Sequence, residues 1–301
     1  MAMLFGFVQF DFAGRLPLAD GRYLAGSEEP RESSEVDEAD GGDCVLVLKT
    51  IGAAPAGGRR RRRGRAAAAE PEPAPLAITR VTAIRASVRL ADKAEAARWL
   101  DAACEAEDTV EVLAEEAIAP LNRALHAHAV AAADPYGREL SPAQAERVLI
   151  GYGSGEETAA GRFADARQVD LSPRASARRR RREEDLRPQE RVAGVLRGRE
   201  RLDACETLLL RARADLDAGR DREAAMQLRV GLEALLVELE DAVDDPEHAR
   251  DMRTLRERRA EAEAAAKAAI GGRPKDEQRD QVEELLGLGE RVLRRRRVLR
   301  G

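Results

Sequence analysis

"MLFGFVQFDF", residues 3–12, decides the fold. Alternate side chains of an extended strand point to opposite faces of its sheet. Leu4, Val8, Phe10 and Phe12 therefore share one face, and Phe5 and Phe7 the other. A strand that is apolar on both faces belongs in the interior of a sheet, and its aromatic and β-branched residues suit that place. Further strands are expected at "CVLVLKTIG" (44–52) and "LAITRVTAIRASVRL" (76–90). In the latter, Ile78, Arg80, Thr82 and Ile84 share one face and Thr79, Val81 and Ala83 the other. "GRLPLADGRY" (14–23) carries turn chemistry. "AERVLIGYG" (145–153) reads as a fourth strand, with Val148, Ile150 and Tyr152 alternating with Leu149 and Gly151.

Helical spacing takes over after residue 92. Ala96, Trp99, Leu100 and Ala103 recur at steps of three and four, and Val110, Leu113, Ala117, Leu121 and Leu125 continue the pattern. Pro120 is expected to break or kink that second run. Beyond residue 188 every apolar pattern is helical. Leu202, Cys205, Leu209, Ala212 and Leu216 form one stepped seam, and Ala225, Leu228, Leu232, Leu235 and Leu239 a second. Gly219 turns between them. Pro246 suits the first turn of a third helix that runs on through Ala262, Ala266 and Ala269, and residues 277–299 form a last one.

These patterns give an α+β protein. Its N-terminal domain, residues 1–171, mixes about four strands with two or three helices. Acidic, Gly/Ser-rich residues 26–43 and Gly/Pro/Ala/Arg-rich residues 52–75 read as disordered insertions. An Arg-rich linker, 172–188, leads to an all-α antiparallel helical bundle, 189–301.

Composition excludes several function classes. Arginine is abundant, at 47 residues, and lysine rare, at 4. Codon bias towards G and C produces that ratio without selection for guanidinium chemistry. The net charge of −5 argues against polyanion binding by bulk charge. Cys44, Cys104 and Cys205 are odd in number and far apart, which argues against a disulfide framework or a zinc knuckle and suits a reduced, cytoplasmic setting. There is no apolar run of about 18 residues, so no membrane helix is expected. "MAMLFGFVQFDFAGR" has no basic leader and carries Asp11, so it reads poorly as a signal peptide.

The candidate ligand loop is "IGYGSGEETAAGRF" (150–163), with Gly151, Gly153, Ser154 and Gly155. Strand, GxGxG, then helix resembles the first motif of class I S-adenosylmethionine methyltransferases. The chain departs from that family at Leu149, where the family has an acid, and in having only helices after residue 171. Glu156 and Glu157 would repel a phosphate at this helix start. Ser154 and Glu157 fit an S-x-x-E capping box, so a structural turn accounts for the stretch. His126 and His128, two apart on a helix, point away from each other and cannot share a metal. Arg123 with His128 resembles the Arg-x4–6-His motif of HEPN-type RNases, although it lies in the α/β part of the chain. Leu208, Ala212, Gly219, Ala224 and Leu228 fall at the small and apolar positions of a tetratricopeptide-type hairpin. Arg211 and Asp215 do not fit that pattern, and no second copy follows at its period.

No catalytic pair, metal set or cofactor motif emerges, and Asp11 is the only acid flanked by aromatic residues. The expectation is a non-enzymatic interaction or scaffold protein. It would bind a protein partner, or itself, through the helical seam of Leu202, Leu209, Leu216, Leu228, Leu232 and Leu235. The alternative is sequence-blind nucleic-acid binding by Arg59, Arg60 and Arg61 and by Arg178, Arg179, Arg180, Arg181 and Arg182. Aromatic residues that would stack on bases are absent around both runs. A third reading places a small-ligand or enzymatic site at the glycine loop.

Overall fold

The computed structural model describes residues 3–26, 44–52, 76–171, 189–240 and 245–300. The expected insertions, apart from Gly26 and Gly52, lie outside these residues. So does the expected linker, and with it both arginine runs assigned to polyanions. The chain divides into two compact units, Met1–Pro173 and Arg174–Gly301.

The first unit is built on a six-stranded antiparallel sheet in the order β2-β3-β4-β1-β5-β6. The strands are β1 (Leu4–Ala13), β2 (Gly21–Ala25), β3 (Cys44–Ile51), β4 (Ile78–Leu90), β5 (Arg147–Ser154) and β6 (Asp165–Val169). β1 lies in the interior between β4 and β5, as its two apolar faces require. Helices α1 (Lys93–Glu105) and α2 (Glu107–Ala131) close one face. There Val8, Phe10 and Phe12 pack in one core with Leu46, Val81, Leu100, Ile118 and Leu121. Gly6 makes room for this packing: a Cβ on it would stand 2.7 Å from the Trp99 ring of α1.

Two strands exceed the sequence expectation of four. β2 and β6 are edge strands of five residues each, with no fully buried side chain. Short, polar edges protect a sheet from unwanted pairing, and they leave no hydrophobic alternation to read. Pro120 does not break α2, which runs unbroken over 25 residues. Leu121 and Leu125 are buried on the sheet side, and this packing outweighs the one backbone bond that proline forfeits.

The second unit is an antiparallel bundle of α4 (189–196), α5 (Ala204–Asp217), α6 (Asp221–Glu238), α7 (Pro246–Glu257), α8 (Arg259–Gly271) and α9 (Asp276–Arg300). Gly219 takes φ +70° in the α5–α6 turn. Asp245 caps α7 by accepting the His248 N–H at 2.7 Å, with Pro246 next to it. The expected single third helix is two, α7 and α8, divided at Arg258. That residue's guanidinium binds Glu261 at 2.7 Å and Glu284 of α9 at 2.9 Å. Arg222 donates to the Ala269 carbonyl at 2.8 Å, which sets α6 antiparallel to α8 together with the Arg259–Glu233 pair.

Candidate functional site

The second face of the sheet carries a charged row at its centre. Asp11 stands opposite Arg80 of β4 and opposite Arg147 of β5, and Arg80 stands opposite Lys49 of β3. Residues in register project to the same face, so one row crosses four strands. Arg80 grips the Asp11 carboxylate through two bonds, Nε to Oδ1 at 2.8 Å and Nη2 to Oδ2 at 3.0 Å. Arg147 adds Nε and Nη2 bonds to Oδ2 at 3.1 and 2.9 Å. Burial alone would raise the Asp11 pKa. The hydrogen bonds and charges of Arg80 and Arg147 outweigh it and hold the carboxyl below its ordinary value. One carboxylate thus ties three central strands together. Sequence reading reached Asp11 but not its partners. The signal for Arg80 was an arginine on the Ile78–Ile84 face of a strand otherwise fit for the interior.

The glycine segment is strand and packing. Gly151 and Gly153 lie within β5, opposite Phe7 and Phe5. None of the three glycines takes a positive φ. A Cβ on Gly151 would lie 2.5 Å from the Asp165 carbonyl oxygen and 2.7 Å from the Phe7 ring. One on Gly153 would lie 2.6 Å from the Thr158 hydroxyl. Phe163 lies over Phe7, with ring centroids 5.5 Å apart. The space that Gly151 and Gly153 leave is filled by the chain's own atoms. The short helix α3 (Gly155–Ala159) follows Gly153 within two residues. The expected capping box is incomplete: Ser154 Oγ donates to Glu157 Oε2 at 2.7 Å, and Ser154 makes no side-chain bond to the helix backbone.

The leucine seam is filled from within. Leu209, Leu216, Leu228, Leu232 and Leu235 are buried in one core with Met252, Leu255, Leu286 and Val292. They are not open to an external partner as the chain folds here. Leu202 is not in the seam at all. It precedes α5 and is 60% exposed, because the helix starts after Asp203, whose carboxylate pairs with Arg296.

The arginine run at 294–297 belongs to α9, and three of its members are paired. Arg295 meets Glu247 at 2.6 Å and Asp251 at 2.8 Å. Arg296 pairs with Asp203, and Arg297 lies 3.7 Å from Glu206. Arg123 donates to the Gly26 carbonyl at 3.1 Å, and His126 is exposed. Burial, then Glu238, pushes the Cys205 thiol up to about 12. Glu238 also accepts the backbone N–H groups of Ala204 and Cys205 at 3.2 and 3.0 Å, capping α5. Among the described residues no cluster of His, Cys, Asp and Glu is arranged to hold a metal ion. No helix there is long and apolar enough to cross a membrane.

Sequence reading missed α4. Its backbone is helical over 189–196, yet none of its residues is buried. Arg191 is clamped to Glu206 of α5 through both terminal nitrogens, while Val192 is 50% and Leu196 82% exposed. These two are four residues apart and lie on one helix face. No protein-family model, curated protein or solved structure matches the chain.

Proposed function

We propose that the protein is a non-enzymatic interaction protein, and that its helical unit binds a protein partner, a second copy of the chain included. The observation that carries this reading is the apolar face left outside the core at α4 and the residues after it. Val192, Leu196 and Leu202 are exposed, while an ion pair to α5 holds the helix in place. A short helix gains little stability in isolation, and a polar tether that leaves the apolar side outward favours contact with another surface. The expected seam on α5 and α6 is not the surface, since its leucines form the unit's own core.

Burying a large aliphatic side chain contributes about 1.5–3 kcal/mol. Three of them give on the order of 5 kcal/mol before the cost of association, which is the scale of a weak, reversible contact. Light scattering over a concentration series tests the self-association form. A mass that rises above one chain and falls back in Val192→Ser/Leu196→Ser supports it. A strict monomer that also captures no protein through this face removes the proposal.

A further inference from the structure

Helix α4 and the turn after it are built as one small piece. Gly198, at φ +68°, ends the helix. Its N–H donates to the Val195 carbonyl at 3.0 Å, and the Arg199 N–H donates to that of Gly194 at 2.9 Å. Glu200 then folds back over the helix. Gly194 leaves it room, since a Cβ there would stand 2.7 Å from Glu200 Oε1. Glu200 Oε2 lies 3.8 Å from Arg191 Nε, so the turn is tied back to the helix.

Against the bundle this piece has one polar tie. Among the described residues, every hydrogen bond or ion pair from α4 to another helix runs from Arg191 to Glu206 of α5. Val195, four residues on, shares the face of Arg191, and both are only half-buried. The far end is anchored separately. Asp203 pairs with Arg296 of α9, and its N–H donates to Glu206 at 3.3 Å. Arg201 and Leu202 stand between piece and anchor, exposed and outside any helix.

We propose that α4 with its turn is a strap that swings on a hinge at Arg201–Leu202, that the Arg191–Glu206 pair is its latch, and that the closed strap is the form that binds protein. The last clause rests on the reading of Val192, Leu196 and Leu202 as a partner surface. An ion pair of this kind favours the closed form by about ten- to a hundredfold, so about 1–10% of molecules stand open. Closed, the strap fixes Val192 and Leu196 relative to Leu202, which stays beside α5. Open, the three separate, and a partner must order them again at a cost in affinity. Salt weakens the latch by screening it.

The test is hydrogen exchange of the full chain, read on peptides from 189–202 and from α5 and α6. Arg191→Gln removes the latch from the strap's side and leaves Glu206 in place as an acceptor for Asp203. The α4 amides should then exchange at least about tenfold faster, with α5 and α6 unchanged. Added salt should move wild type towards the same rate. Arg297→Gln removes the other arginine near Glu206 and should leave α4 unchanged. An α4 that is unprotected in wild type, unaffected by Arg191→Gln, or accelerated only in step with α5 and α6 overturns the latch. Exchange is read without a partner, so this result stands whether or not the face binds protein. Where wild type retains a protein, Arg191→Gln, its apolar residues intact, should retain at least about threefold less, the scale of reordering side chains at a contact. Equal retention overturns the strap's control of the surface.

Discussion

Asp11 is a carboxylate placed where a sheet centre would otherwise be apolar, and two arginines make that tolerable. Removing the charge with Asp11→Asn leaves both half-buried guanidiniums without a counter-charge and turns one of their acceptor oxygens into a donor amide. A fully buried pair broken this way costs about 3–5 kcal/mol. Here the arginines are partly solvated, so the expected loss is about 2 kcal/mol by chemical denaturation. The sign in pH follows from the depressed carboxyl. A group held below its unfolded value of 3.8 contributes stability that is present above that pH. It is lost as pH falls through the lower folded value. The gap between wild type and Asp11→Asn should therefore hold from neutrality to about pH 4 and close below it. A gap independent of pH would show that the lock is not ionic. The glycines make a second residue-scale prediction. Gly151→Ala and Gly153→Ala should each cost about 1–3 kcal/mol, because the new methyl meets a backbone oxygen or a buried hydroxyl. Gly155→Ala meets Phe5 at an ordinary 3.6 Å and should change stability by less than about 0.5 kcal/mol. Sequence alone placed the three glycines together as one motif. It could not separate them, because what each touches depends on how β1, α3 and β6 fold against β5.

At the scale of elements, the strands and helices with strong periodicity were legible and the others were not. β1 and β5 are interior strands with nearly continuous apolar runs, β4 is an interior strand rich in β-branched residues, and α5, α6 and α9 carry stepped leucines and valines. β2 and β6 sit at the edges, where burial writes little into the sequence. The division between α7 and α8 lies in an Ala- and Arg-rich run, where helix propensity is high throughout and only the Arg258 pairs mark the break. The arginine run at 294–297 illustrates a related limit. A charge run on a helix looks the same whether it faces solvent or a row of acids, and here α7 and α5 supply the acids. Arg295→Gln should lower the melting temperature of the helical unit, by about 1 kcal/mol in stability at low salt. The difference should shrink as salt is added. An undiminished effect in high salt would assign the loss to packing of the arginine stem instead.

For the whole molecule, the two cores share no residue: one ends at Leu171 and the other starts at Cys205. Residues 189–301 alone should therefore unfold cooperatively, at the temperature of the matching transition in the full chain. A fragment that fails to fold would mean that the helical core needs the sheet unit. The α+β class was readable because strand periodicity gives way to helical periodicity near residue 92 and returns for only one more long strand. The candidate surfaces were not readable, since a leucine at helical spacing looks the same in a core and on an interface. Folding consumed the stepped seam and left α4 outside. The central claim, that this outlying apolar face binds protein, is tested most directly by capture from native cell extract at low salt. Full-length wild type and Val192→Ser/Leu196→Ser/Leu202→Ser would be compared, with half of each sample treated with nuclease. The account predicts a protein, or a second copy of the chain, that wild type retains after nuclease and the variant loses. Equal retention by both, or retention that nuclease abolishes, would contradict it.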